Sequence, residues 1–173
     1  MERGKRTFEF AEVSSAEIVR RAAELMAERF QPPAACLEVH PAADAPPVRV
    51  DADALLTAVI NLLDNACKYT GDCKRVALRS YAENGHVCIA VSDNGIGLSP
   101  RAMKKIFRPF YQVDRRLSRS AGGCGLGLSI VQFIAAAHGG TVRVQSRLGG
   151  GSTFTISIPQ TIATHVSADD SGH

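Results

Sequence analysis

The spacing of apolar and polar residues along the chain alternates between the period of a helix and that of a strand. Residues 7–11 alternate like a strand, and a helix follows that begins near Ser14 or Ser15 and carries apolar residues at helical spacing. Residues 36–40 form a short predicted strand between two proline-rich connections. A longer helix, capped by Asp51 or Asp53, ends near residue 70 and has a wide apolar face.

The second half of the chain continues this alternation. Residues 76–82 and 86–91 flank a turn-like Glu-Asn-Gly and predict an antiparallel hairpin. Residues 100–107 and 126–138 have helical spacing, and two further strands, over 141–146 and 152–158, are joined by three consecutive glycines. This order predicts an α/β (α+β) two-layer sandwich, in which several helices pack on one face of a mixed sheet.

Two segments lack any regular period. Residues 108–123 contain a proline, several arginines and several serines, and an irregular insert of this length is typical of a functional loop. Residues 161–173 are polar and predict a disordered tail. We therefore expect one folded domain over residues 1–160.

Composition excludes several classes of protein. The net charge is only +3, and the 20 basic residues are spread along the sequence, so nucleic acid is not an expected partner. The five cysteines form no CxxC pair and no zinc-site spacing, which is typical of reduced cytosolic thiols. No apolar stretch approaches the ~20 residues of a membrane-spanning helix, so we expect a cytoplasmic fragment without membrane contact.

The long central helix carries a polar group that is suited to chemistry. Asn61 and Asn65 are four residues apart and therefore share one face, and amide oxygens are suitable ligands for Mg²⁺. Lys68 follows on the same face, where it could meet a phosphate. The alternative is an ordinary solvated face of an amphipathic helix, which is about as probable for the amide pair alone.

Two glycine-containing segments are further candidates for ligand contacts. Asp93 ends a strand and precedes Gly95 and Gly97; its carboxylate could accept a hydrogen bond from an amino group of a flat ligand, although Asp-Asn-Gly is also a common turn. Gly123, Gly125 and Gly127 lead directly into a helix, where free backbone amides form an anion site. A flexible linker is the alternative for that glycine-rich segment.

In this order and at these separations, the motifs resemble the N, G1, G2 and G3 boxes of the catalytic domains of sensor histidine kinases, which belong to the ATPase superfamily of gyrase, Hsp90 and MutL. The segment from Phe107 to Tyr111 also resembles the F box of that family. The resemblance covers residues 7–159. It implies the Bergerat fold, with a mostly antiparallel five-stranded sheet, three main helices on one face and a flexible lid over ATP.

The resemblance also implies a role for each matching position. Asn65 would hold Mg²⁺ with support from Asn61, Lys68 would contact phosphate, and Asp93 would bind the adenine amino group, with Asn65 and Lys68 as the catalytic pair. One of the lid arginines at 115, 116 and 119 would reach the terminal phosphate. The full set of predicted nucleotide contacts is Asn61, Asn65, Lys68, Tyr69, Asp93, Gly95, Ile96, Gly97, Phe110, Arg116, Gly123, Gly125, Leu126, Gly127, Leu128 and Thr153.

The residue at position 61 indicates a branch of this superfamily. Gyrase-like ATPases and serine kinases resemble one another in having a glutamate there, and the neutral Asn61 amide cannot take a proton from water or serine. A histidine acceptor needs little activation, because neutral imidazole already has a free lone pair. We therefore expect transfer of the γ-phosphoryl group of Mg-ATP to a histidine, rather than the alternatives of an anti-sigma-type serine kinase or a nucleotide-binding pseudokinase.

The expected partners follow from the same resemblance. None of the five histidines is followed by an acidic residue, so we expect the phosphoacceptor on a separate helical hairpin of the parent kinase or a partner chain. His138, at the end of a helix, is expected to cap that helix. A response regulator would act downstream, and we expect the fragment to be monomeric and the parent, whether soluble or membrane-anchored, to be a homodimer.

Overall fold

The computed structural model describes residues 7–113 and 125–161. Within them the helices are α1, α2, α3 and α4, and a 3₁₀ turn at Ala27–Arg29 follows α1. The helices span Ser15–Met26, Ala52–Tyr69, Pro100–Met103 and Gly127–Ala137 in that order. The strands β1 to β7 span Ala11–Val13, Ala35–His40, Val48–Val50, Lys74–Glu83, His86–Asp93, Thr141–Ser146 and Ser152–Pro159.

Five of these strands form one mixed sheet in the order β2-β4-β5-β7-β6. Only β2 and β4 run parallel; the other pairs are antiparallel. The short strands β1 and β3 form a separate antiparallel pair, in which Ala11 lies opposite Val50. The predicted two-layer fold with a mostly antiparallel five-stranded sheet is confirmed.

Helices α1, α2 and α4 pack on one face of this sheet and enclose the core. Helix α2 is central, because it contacts both α1 and α4 as well as β4 and β5. Its side chains Leu55, Val59, Leu62 and Leu63 are at most 1% exposed. Full burial of a leucine side chain contributes about 1.5–3 kcal/mol, so this helix is held rigidly enough to position polar residues on its remaining face.

The first turn of α2 is joined to the N-terminal segment and to the end of α4. The Asp51 carboxylate caps α2 by accepting from the Ala54 N–H, and it also accepts from the Glu9 N–H, both at 2.9 Å. The Asp51 N–H donates to His138 Nε2 at 3.1 Å, and His138 Nδ1 lies 2.6 Å from the Ile134 carbonyl oxygen. Because a carbonyl only accepts, Nδ1 carries the proton, and His138 both caps α4 and links it to α2.

Three elements of the structure differ from those predicted from the sequence. The first strand begins at Ala11, where the predicted strand over residues 7–11 ends, and its partner β3 was not predicted at all. The predicted helix over residues 100–107 is helical only to Met103 and continues as turns. Most of the expected tail, at residues 162–173, and most of the predicted lid, within residues 114–124, lie outside the described residues.

No helix in the described ranges is long and apolar enough to cross a bilayer.

Candidate nucleotide-binding site

A cavity of about 290 Å³ opens between α2, the end of β5 and the start of α4. Its wall includes eleven of the residues singled out in the sequence: Asn61, Asn65, Lys68, Tyr69, Asp93, Ile96, Gly97, Gly125, Leu126, Gly127 and Leu128. These residues come from three separate segments of the chain. Ser152 and Phe154, which follow the three consecutive glycines, also line it, so the structure brings residues of all four sequence motifs together around one cavity.

On the side of α2, amide and charged side chains line the cavity. Asn61 Nδ2 donates to the Thr57 carbonyl at 2.9 Å, which leaves its Oδ1 free to face the start of α4. Lys68 Nζ lies 2.8 Å from Asp64 Oδ2, one turn back on the helix. Asp64 also lines the cavity and receives Arg29 Nη1 on its other oxygen at 2.9 Å.

The pKa of Asp64 lies below its ordinary value of 3.8. Burial is the largest single influence and would raise the pKa, but hydrogen bonds and charge from Lys68 and Arg29 together outweigh it. Asp64 is therefore ionised throughout the neutral range, and both of its oxygens are held by cations.

Asp93 lines the same cavity at the end of β5. Burial raises the pKa of its carboxyl above the ordinary 3.8, and N–H donors from Gly95 and Ser152 oppose that shift. The Gly95 N–H to Asp93 Oδ1 distance is 2.8 Å. These donors fix the orientation of the carboxylate while it still lines the cavity, where it can accept a hydrogen bond from a ligand amino group.

Two glycines allow the chain to pass closely around Asp93. A Cβ on Gly95 would collide with the Tyr69 carbonyl oxygen and stand 2.8 Å from Asp93 Oδ1. Gly97 has φ +70°, and a Cβ there would collide with the Arg147 carbonyl. Only glycine fits either position, so the residues after Asp93 can fold back against the β6–β7 turn and leave the cavity open.

The start of α4 forms the third wall. Gly125 has φ +74°, and its carbonyl accepts from the Phe110 N–H at 3.1 Å. A Cβ on Gly127 would stand 3.1 Å from Asn61 Oδ1, so the first turn of α4 lies directly against the amide face of α2. The unpaired N–H groups of a helix start attract anions. The described part of the glycine-rich segment therefore lies beside the α2 amides, as a phosphate site requires.

The structure places five predicted contacts differently or leaves them undescribed. Thr153 is a correction: its hydroxyl bonds to Ser92 on the outer face of the sheet at 2.9 Å, and Ser152 lies opposite Asp93 and lines the cavity instead. Gly95 and Phe110 do not belong to the lining, and Phe110 is 73% exposed. Arg116 and Gly123 lie outside the described residues.

Sequence reasoning also missed several lining residues. Asp64 was available as a signal, since it precedes Asn65 and is four residues from Lys68, the spacing of a helical ion pair. The apolar part of the wall gave no separate signal, because such residues look like ordinary core positions. The apolar lining residues that were missed are Leu98, Ile106, Val113, Ile130 and Phe154. An apolar wall with polar groups at its ends is typical of a site for a flat heterocycle.

Proteins of known class are similar to this chain in sequence and in fold. The family described as histidine kinase-, DNA gyrase B- and HSP90-like ATPases matches residues 50–162. Sensor-like histidine kinase SenX3 of Mycolicibacterium smegmatis is 43% identical over 110 residues, which cover 64% of this chain and 29% of that protein. The chain thus corresponds to less than a third of the length of that relative.

Solved structures of histidine kinases also superpose on this chain. Full-length ShkA in complex with AMPPNP superposes with a TM-score of 0.76 at 33% identity, covering 91% of this chain and 32% of that one. Histidine kinase ThkA in complex with the response regulator protein TrrA superposes with a TM-score of 0.71 at 26% identity, covering 91% and 44%. On these matches and on the cavity, the chain belongs to the histidine kinase-, DNA gyrase B- and HSP90-like ATPase family, as an ATP-binding domain of the sensor histidine kinase type.

Proposed function

We propose that this domain binds Mg-ATP and donates its γ-phosphoryl group to a histidine on a separate phosphoacceptor domain of a two-component sensor kinase. The observation that carries the proposal is the convergence of Asp93, the α2 amides and the start of α4 on one cavity. A single nucleotide can then touch a base-reading carboxylate at one end and phosphate-binding groups at the other.

The adenine ring is assigned to the Asp93 end. Its amino group donates to the Asp93 carboxylate, and the apolar wall with Ile96 and Leu98 covers the ring faces. Tyr69 packs at the edge of the same region. This assignment is supported by the raised pKa of Asp93, because a partly buried carboxylate that no cation of the described residues neutralises is suited to a ligand that brings its own donor.

The phosphates are assigned to the α2 and α4 end. Asn65, with Asn61 beside it, would hold Mg²⁺ through neutral amide oxygens, and Mg²⁺ commonly has few protein ligands because phosphate oxygens and water complete its shell. The donor set fits, since Asn61 Oδ1 is directed toward the start of α4. When bound, the ion supplies charge neutralisation of the phosphates. Lys68 and the α4 N–H groups from Leu126 onward bind phosphate oxygens directly.

Transfer to histidine fits the neutral lining of the cavity. Phosphoryl transfer depends mainly on positioning and on stabilising charge, so no residue here has to form a covalent bond. The Asn61 amide takes no proton, which keeps hydrolysis by water slow. A neutral imidazole attacks the γ-phosphorus with its own lone pair, and the ADP oxygen leaves with the electrons of the broken bond.

The partners are proposed on the same basis. The phosphoacceptor hairpin belongs to the parent kinase or to a partner chain, and a response regulator receives the phosphoryl group next. The complex of histidine kinase ThkA with the response regulator protein TrrA supports a response regulator as partner. We propose that the fragment itself is monomeric and acts in the cytoplasm.

Nucleotide titration tests the binding part of the proposal. Calorimetry with ATP and MgCl₂ should show binding by the wild type and loss of at least about tenfold in affinity for Asp93→Asn and Asn65→Ala, since each removes a direct contact. Asp53→Asn is the matched control, because Asp53 is 84% exposed at the far end of α2. Retention of ATP affinity in both site variants would refute the assigned pocket.

Radiolabelled ATP tests the transfer part. We expect no acid-labile label on this chain alone, and label on a phosphoacceptor hairpin that is added in trans. Acid-labile autophosphorylation of the chain by itself would contradict the proposal. Label that survives acid, as a phosphoserine does, would instead favour the serine kinase alternative.

A further inference from the structure

The Lys68 ammonium, which the proposed function assigns to a phosphate, already has a partner in the described structure. Asp64 Oδ2 lies 2.8 Å from it, and the two side chains are only 30% and 22% exposed. Both residues line the cavity. An incoming phosphate therefore meets an ion pair rather than a free cation.

The second oxygen of Asp64 is held from outside the cavity. Arg29, at the end of the 3₁₀ turn that follows α1, places Nη1 2.9 Å from Asp64 Oδ1. Each carboxylate oxygen thus has its own cation, one inside the cavity and one on the surface. Arg29 occupies one of the two carboxylate oxygens of Asp64. Without Arg29, both oxygens would be free to bind the Lys68 ammonium.

We propose that Asp64 competes with nucleotide phosphates for the Lys68 ammonium and thereby lowers the affinity of the cavity for polyphosphate, while Arg29 limits that competition. The proposal rests on the assignment of phosphate to Lys68 in the proposed function. It concerns a carboxylate that no ligand atom has to touch, so Asp64 acts through Lys68 as a positioning residue.

The expected sign follows from comparing two effects of removing Asp64. An i,i+4 ion pair contributes only slightly to helix stability, so Lys68 loses little order without it. With Asp64 neutral, the Lys68 ammonium no longer has to leave a carboxylate before it pairs with a phosphate, and attraction between opposite charges is strong in a partly buried site. This gain outweighs the loss of ordering, and removal of the charge should tighten binding.

This competition has a use in a turnover cycle. A kinase domain must release ADP after each transfer, and an interaction that weakens phosphate binding shortens the lifetime of the product complex. The effect scales with the number of phosphates, so it acts on ATP and ADP but leaves recognition of the base at Asp93 unchanged.

Calorimetry with ATP, ADP and adenosine on the full chain tests the proposal. Asp64→Asn should bind ATP about five- to tenfold more tightly, ADP to a smaller degree, and adenosine unchanged within about twofold. Arg29→Met should weaken ATP binding. The pair Arg21–Asp53 joins α1 to α2 outside the cavity, at 3.7 Å, so Asp53→Asn and Arg21→Met are matched charge controls.

The possible outcomes distinguish failure of the proposed Asp64 competition from failure of the proposed function. ATP binding to Asp64→Asn that is weaker than or equal to that of the wild type would overturn the competition, as would an equal change for adenosine. In Lys68→Met the effect of Asp64→Asn should shrink to about twofold or less, because the contested ammonium is gone. Wild-type protein that binds no ATP would overturn the proposed function itself. Thermal unfolding of each variant confirms the fold, and Arg29→Met tests the idea with the opposite sign.

Discussion

Replacement of His138 by leucine should destabilise the domain, because His138 connects two helices that frame the nucleotide cavity. The imidazole is 8% exposed and its Nε2 is the acceptor for the N–H of Asp51, the capping residue of α2. Leucine fills a similar volume against the rings of Phe8 and Phe10, whose centroids lie 5.1 and 5.0 Å from the imidazole centroid. The variant therefore isolates the loss of hydrogen bonding from the loss of packing.

The magnitude follows from the groups left without a partner. The Ile134 carbonyl still accepts from the backbone N–H of residue 138, so its loss is small. The Asp51 N–H is part-buried and would lose its acceptor, which costs about 1–3 kcal/mol. We expect a decrease of about 2 kcal/mol in the free energy of unfolding, or about 4–8 °C in Tm for a chain of this size. Urea unfolding followed by circular dichroism measures the first, and calorimetry the second.

Two further variants make the interpretation specific. In His138→Gln the side-chain carbonyl can accept from the Asp51 N–H, so it should recover about half of the loss. His86→Leu is the matched control, since His86 is exposed on the hairpin, and it should change stability by no more than about 0.5 kcal/mol. A leucine variant as stable as the wild type, or a glutamine variant no better than leucine, would refute the hydrogen-bond argument.

Three other predictions concern the core, the backbone and the site. Leu63→Ala should lower the free energy of unfolding by about 2–5 kcal/mol because Leu63 is 0% exposed, whereas Leu25→Ala, at 59% exposure, should cost little in urea unfolding. Gly97→Ala should destabilise by more than Gly85→Ala in thermal melts: both have positive φ, but only Gly97 has a carbonyl where the Cβ would stand, and equal losses would contradict this. Since the folded-state pKa of Asp93 is raised above 3.8, the native state takes up its proton before the unfolded chain does, and the wild type should gain stability relative to Asp93→Asn as pH falls through that raised pKa to about 3.8. Urea titrations over that range measure the difference, and a difference that is independent of pH would be evidence against the buried charge.

The sequence predicted the large elements because their periodicity is long enough to be unambiguous. Helix α2 has five turns with one apolar face, and strand β4 alternates before a two-residue turn that leads into β5. Strands β1 and β3 have only three residues each and pair across 35 to 39 positions of sequence. Three residues carry too little alternation to identify a strand, and nothing local specifies so distant a partner.

The site was predicted in part for the same reason. Helical spacing placed Asn61, Asn65 and Lys68 on one face, and the structure confirms that all three line the cavity. The ion pair of Asp64 with Arg29 was not predictable, because it joins residues 35 apart in sequence. The Thr153 assignment was one residue out of register.

The register of β7 could have been read from the sequence. Phe154 is a large apolar residue that must face the core, and it is 3% exposed. Because side chains of a strand alternate between faces, residue 152 shares the face of Phe154 and residue 153 does not. Ser152 therefore had to lie on the side of the helices, opposite Asp93, and Thr153 on the outer face beside Ser92.

The distribution of charge within the cavity favours one binding orientation of the proposed nucleotide. Asp93 is fixed by backbone N–H groups from Gly95 and Ser152, and no cation of the described residues contributes to its pKa shift, so this part of the cavity is suited to a donor. Asp64 is held by two cations, and one of them, Lys68, lines the cavity. For the nucleotide proposed above, this arrangement favours one orientation, because reversal would place phosphates against a partly buried carboxylate that has no counter-ion among the described residues. That orientation would place the terminal phosphate near Lys68 and the start of α4, where the proposed acceptor from another domain would have to reach it.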